Sequence, residues 1–206
     1  MQRLSPLPSS FLRPFLLLLL LPLLTSFTIV TISRAQAPPA ALPMSQASLI
    51  ERQVKAAYLV KFAGFVEWPG GSFAQADTPL QIGIVDNEFL ADQLEQLEQM
   101  VTGRTIAGHP ITVRRLRHGD ALAGLHVLFL GGMERAAISE IVNAARGLSM
   151  LTVTDGEDGL ALGCMISFVV AADKLRFNVG LRQVTAGGLR ISARMLAAAH
   201  QMQGAS

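Results

Sequence analysis

Apolar side chains recur at three- and four-residue spacing from Ile50 through Val54, Ala57, Tyr58 and Phe62 to Phe65, while Glu51, Arg52, Lys55 and Lys61 fall mostly off that stripe. The pattern predicts an amphipathic helix with one buried face. Ser48, three positions ahead of Glu51, predicts a capping box that starts the helix, with its hydroxyl and the Glu51 carboxylate each accepting from the other residue's amide. Glu67, Trp68 and Pro69 end the pattern, because proline disfavours helical geometry in the residue before it, and Gly70 and Gly71 free the backbone to turn.

The chain then alternates. Leu80, Ile82, Ile84 and Val85 form a short apolar strand ending at Asp86, and Asp86 or Asn87 can cap a helix carrying Phe89, Leu90, Leu94, Leu97 and Val101, which Gly103 ends. Ile111 and Val113 give a second strand, so this strand, helix, strand order implies a parallel pair. His126 to Leu130 is a third strand, followed by a helix through Ile138, Ile141 and Val142, and Met150 to Thr154 a fourth that runs into Asp155. After a loop over Gly156 to Gly163, Met165–Val170 and Leu175–Val179 read as an antiparallel hairpin on one edge of the sheet. A closing helix follows Gly180, with Val184, Leu189, Ile191, Met195, Leu196 and Ala199 as core positions; Gly187 and Gly188 blur its beginning. The fold class is α/β with a mostly parallel sheet flanked by helices.

The N-terminal region stands apart. Arg3 and Arg13 precede an apolar run from Phe15 to Ile32 that leads into small residues, the layout of a secretory signal. Residues 1–35 are read as a signal peptide cut after Ala35, because cutting after Ala37 would leave Pro38 behind the scissile bond. An uncleaved anchor is the rival, since the run is just long enough to span a bilayer, but Pro22, Thr25, Ser26, Thr28 and Thr31 weaken it. Residues 36–47 read as a Pro/Ala-rich linker, 48–201 as a single domain and 202–206 as a tail.

Setting the leader aside changes the charge. The chain has 17 Lys and Arg against 15 acids. Arg3, Arg13 and Arg34 belong to the leader, so the remainder carries 17 − 3 = 14 cations against 15 acids, a balance of −1. The basic character lies in the targeting signal and gives no support for nucleic-acid binding. About 170 residues remain, enough for one domain burying roughly 70% of its unfolded surface. Cys164 is the one cysteine, so no intramolecular disulfide can form, and its apolar surroundings point to a small buried residue.

Catalytic signatures are weak. Gly103 to Gly108 has the gap of a phosphate loop, but His109 and Pro110 stand where Lys and Ser/Thr are needed. No serine lies in a Gly-x-Ser-x-Gly elbow. His109, His118, His126 and His200 are scattered without helical pairing or a cysteine cluster, so neither a metal nor another cofactor is expected. Asp86 and Asp155 end strands, where α/β sheets place ligands, and are the candidate ligand-binding pair; a helix cap and a turn are their duller roles. Arg114, Arg115 and Arg117, with Arg104, form a basic cluster, read chiefly as a solvated strand end. Trp68, the only tryptophan, is either core or, with Glu67 and Pro69, an anchor for a partner protein.

Six blocks carry a resemblance. Lys55, Ala56, Ala57, Tyr58, Phe62, Phe65, Val66, Glu67, Trp68 and Pro69 form the first, and Gly103, Arg104, Gly108, Pro110, Ile111 and Val113 the second. His126–Val127–Leu128–Phe129, Leu151–Thr152–Val153–Thr154–Asp155, and Gly163, Met165, Ile166, Phe168 with Arg176, Phe177, Asn178 follow. Ala186, Gly187, Leu189, Ile191, Ser192 and Leu196 close the series. In this order they resemble the YfiR/HmsC-like family of periplasmic proteins. The resemblance implies a Rossmann-like domain exported to the periplasm that regulates by binding and is not an enzyme. It further implies a partner in the inner membrane, a diguanylate cyclase or a sensor kinase, held inactive so that cyclic di-GMP and biofilm formation fall. The paired cysteines frequent among relatives are missing here, so redox control through an internal disulfide is not expected. A small-molecule receptor with its pocket at the carboxyl edge of the sheet is the alternative function, and a homodimer through exposed edges or helices stays open.

Overall fold

The structure, a computed structural model, describes residues 46–100 and 105–204. The leader, most of the linker, Val101, Gly103 and Arg104 lie outside the described residues. In chain order the elements are α1 (Gln46–Phe65), β1 (Val66–Glu67), β2 (Leu80–Val85), α2 (Glu88–Met100), β3 (Ile111–Leu116), β4 (Val127–Leu130) and α3 (Arg135–Ala144). They continue with β5 (Leu151–Asp155), β6 (Ile166–Ala171), β7 (Lys174–Gly180), α4 (Leu181–Ala186), β8 (Arg190–Ile191), α5 (Ala193–Ala198) and β9 (Gln201–Gln203).

Seven strands form one sheet in the order β3-β2-β4-β5-β6-β7-β9. The first four neighbour pairs are parallel, β6 and β7 are antiparallel, and β9 returns parallel to β7. The α/β class, the parallel β2–β3 pair and the hairpin are therefore as the sequence indicates. Only Ala172 and Asp173 link the hairpin strands, both at positive φ (49° and 56°), the backbone of a two-residue turn that follows the natural strand twist.

Strand β4 shows how the sheet divides its burial. Val127 and Phe129 join a core on one face with Leu59 and Phe62 of α1 and Leu90 and Leu94 of α2, while Leu128 and Leu130 join Ile138, Ile141 and Val142 of α3 on the other. A fully apolar strand is what a parallel sheet covered on both faces requires. On the α1 face, Phe62 packs edge-on against Phe177 at 4.9 Å between centroids and stacks on Phe168 at 5.7 Å.

Several details depart from the sequence reading. Helix α1 already includes Gln46, so Ser48 lies inside it and the Ser48–Glu51 capping box does not start the helix. Its buried face is rotated: Lys55, Ala56, Leu59, Phe62 and Ala63 are buried, whereas Ile50 and Val54 are exposed, because an ion pair draws Lys55 onto the sheet. The closing helix is two helices, interrupted at Gly187–Gly188, where Gly188 takes φ +71° and the chain extends into β8, which pairs antiparallel with β1. Met202 and Gln203, expected in a tail, belong to β9 and cover the outer edge of the hairpin. For α2 the capping expectation resolves to Asn87, whose Oδ1 accepts from the Leu90 amide at 3.1 Å. Phe89, counted on its apolar stripe, is exposed and lies under the Arg52 guanidinium at 4.5 Å.

Candidate functional site

Two clusters lie at opposite ends of the parallel strands. At the carboxyl end, Asp155 terminates β5 and accepts twice: Oδ2 from the Lys55 ammonium at 2.8 Å and Oδ1 from the Gly132 amide at 3.1 Å. Lys55 is also bridged to Glu51 one turn earlier at 2.6 Å. Burial works against the charge on Lys55, but the bonds and charges of Asp155 and Glu51 outweigh it, so the ammonium is held above its ordinary pKa. Gly131 makes the turn after β4 fit, since a Cβ there would meet the Phe129 ring at 2.3 Å and Asp155 Oδ1 at 3.0 Å. A cleft of about 230 Å³ opens here, lined by Arg52, Lys55, Asn87, Gly132 and Asp155 among others. It lies beside the ends of β2 and β4, the adjacent strands between which the winding of the sheet reverses.

Asp86 does not join Asp155. It takes φ +47°, and its carboxylate accepts from the His118 amide at 3.2 Å on the β3 side, a turn role, the helix cap falling to Asn87. Two arginines of the basic cluster are likewise committed, while Arg104 lies outside the described residues. Arg115 fans across Glu88, Asp92 and Glu95 of α2, and Arg114 reaches Gln81 Oε1 and the Ala123 carbonyl. Glu98 accepts from the Val113 amide at 3.1 Å, occupying a donor on the outer edge of β3.

At the amino end, α1 delivers Trp68 onto a stack of rings. His109 lies flat on Phe73 (3.7 Å, 7°), Phe73 lies on His126 (4.2 Å, 12°), and Trp68 meets both Phe73 and His126 edge-on. His126 Nδ1 accepts from the Gln81 amide at 3.1 Å, which fixes the proton on Nε2, and Nε2 donates to the Ser72 carbonyl at 3.1 Å. His109 Nδ1 donates to the Thr78 carbonyl at 2.9 Å. The histidines thereby clamp the loop between β1 and β2. Trp68 is half-buried against the core, and its indole nitrogen is buried without a hydrogen-bond partner among the described residues. Glu67 and Pro69 on either side are exposed, and Glu67 faces Arg190 across the β1–β8 ribbon, 3.7 Å away.

The model of the family described as YfiR/HmsC-like matches residues 52–200, well over half of the chain. The chain belongs to the YfiR/HmsC-like family. That family is one of periplasmic, regulatory, non-enzymatic proteins. A search of the curated proteins finds no match. Among the described residues of this YfiR/HmsC-like chain, no helix is long and apolar enough to cross a membrane, and no group of three or more His, Cys, Asp or Glu could hold a metal ion. Cys164 is fully buried, so it can reach neither a ligand nor a second chain, and burial pushes its thiol pKa up to about 12.

Sequence reasoning singled out Glu67, Trp68 and Pro69 as partner-binding candidates, and the structure has Trp68 half-buried between exposed Glu67 and Pro69. It gave no site role to Lys55, which the helical pattern assigns to the polar face, or to Phe73 and His109, whose stack is assembled from three segments. His126 stands immediately before β4, with both ring nitrogens bonded to backbone.

Proposed function

We propose that the protein acts in the periplasm by docking, through the rim of Glu67, Trp68 and Pro69, onto the periplasmic sensor part of an inner-membrane signalling protein, a diguanylate cyclase first among the candidates. Docking stabilises the inactive state of the partner and lowers cyclic di-GMP signalling. Repression requires tighter binding to the inactive state than to the active one. Besides membership of a regulatory family, the observation that carries the reading is the position of Trp68: half-buried, backed by a ring stack and flanked by exposed Glu67 and Pro69. Tryptophan anchors of this kind, set in a polar rim, dominate binding energy at protein interfaces. Affinity capture from detergent-solubilised membranes, with mass spectrometry of what is retained, tests it. Recovery of a membrane cyclase or kinase by the wild type and its loss with Trp68→Ala is the expected result.

A second reading, a small-molecule receptor, is supported by the cleft beside Lys55 and Asp155 at the reversal point of the sheet. A ligand held there would raise the melting temperature, and Asp155→Asn would erase that rise.

A further inference from the structure

A second cleft, remote from the Lys55–Asp155 pair, opens between the end of α3, the loop into β5 and α4. It holds about 450 Å³, within the range of small-molecule sites. Val142, Ala145, Leu148 and Ala186 make its lining mainly apolar, with Thr152 of β5 contributing a hydroxyl-bearing side chain. Two cations line the same cleft: Arg146, just beyond α3, and Arg182, at the start of α4. Both are exposed, and neither has an acidic partner among the described residues.

This pairing is not a consequence of overall charge, because the chain without its leader has one more acid than base. Carboxylates answer some of the other cations, Arg115 taking three, Lys55 two, and Arg135 and Arg190 one each, but none reaches into this cleft. What sets this cleft apart is the combination: two guanidiniums without acidic partners among the described residues border one mainly apolar concavity. An apolar lining rewards burial of a hydrocarbon body, and guanidinium forks match a planar carboxylate in two parallel hydrogen bonds. A simple inorganic anion would leave the lining unused, and a neutral hydrocarbon would leave the guanidiniums unused.

We propose that this cleft binds a small amphipathic monocarboxylate, its hydrocarbon body against Val142, Ala145 and Leu148 and its carboxylate between Arg146 and Arg182. The site borders the docking rim, since Gly147 and Leu148 also line a cleft with Pro69, but it stands whether or not the docking reading holds.

The test uses the full chain, expressed with export and purified, and sodium decanoate below its micelle concentration. Acetate supplies the head without the tail, and decyltrimethylammonium the tail with the opposite charge. Decanoate should raise the melting temperature by about 5 °C at a hundredfold excess over its Kd, with neither control doing so. The exposed double variant R146A/R182A should keep the unliganded melting temperature and lose at least tenfold in decanoate affinity, a threshold of about 1.4 kcal/mol. If that variant fails to fold, amide chemical-shift mapping on the wild type decides: perturbations centred on Gly147, Gly163 and Gly187 support the site. Equal shifts with decanoate and decyltrimethylammonium, no shift with decanoate, unchanged affinity in the double variant, or perturbations centred elsewhere would each overturn it.

Discussion

The Lys55 ammonium sits 2.8 Å from the Asp155 carboxylate, joining residues a hundred positions apart and fastening the first helix to the carboxyl end of β5. Both groups are largely withdrawn from solvent, Lys55 the more so, and Asp155 also holds the Gly132 amide. Lys55→Met keeps most of the aliphatic stem and removes the charge, so it isolates the ion pair. Loss of about 2 kcal/mol in urea unfolding is expected, in the range for hydrogen bonds to charged groups. Asp155→Ala should cost at least as much, and the double variant should cost less than the sum of the two.

The ring stack makes stability depend on pH. His126 is kept neutral, with burial lowering its pKa, the Ser72 carbonyl partly offsetting this and neighbouring His109 adding to it. Since the folded-state pKa lies below the unfolded value of about 6.5, the unfolded chain takes up the proton first as pH falls. The contribution is therefore whole above pH ~6.5 and is lost on acidification between that value and the lower folded-state pKa. Urea midpoints measured from pH 8 down to pH 5 should fall, and His126→Gln should flatten that part of the profile.

Cys164 should behave as an inert thiol. With no exposed surface and a pKa near 12, it offers almost no thiolate at neutral pH. A thiol-reactive disulfide reagent should label the native protein far more slowly than the urea-unfolded chain. Equal rates in the two states would contradict the burial.

Gly131 is required for a close approach. A methyl group there would overlap the Phe129 ring, which is itself fully buried and cannot retreat without disturbing the core. Gly131→Ala should cost about 1–3 kcal/mol in urea unfolding. Gly132, where a Cβ meets nothing within 4 Å but φ is +72°, should respond to alanine only through backbone strain.

Much of this architecture can be read from the chain because it is written locally. The apolar runs at Leu80–Val85, Val127–Leu130 and Leu151–Thr154, the cap at Asn87 and the β6–β7 hairpin follow from short-range pattern and turn chemistry. What escaped is set by distant partners. Lys55 moves to the buried side of α1 because Asp155 is there to receive it, and the extended Arg190–Ile191 segment exists because β1 supplies its pairing. Gln201–Gln203 has no apolar alternation, and only the open edge of β7 makes it a strand. At the amino end, Phe73, His109 and His126 come from segments whose sequence gives no sign that their rings will stack.

The central claim is that Trp68 anchors a membrane signalling partner. Its most direct test is affinity capture from solubilised inner membranes with wild-type protein and Trp68→Ala side by side, after confirming that the variant unfolds cooperatively. The account predicts that a cyclase or kinase is retained by the wild type and lost with a folded Trp68→Ala protein. Retention of the same partner by both forms would contradict it.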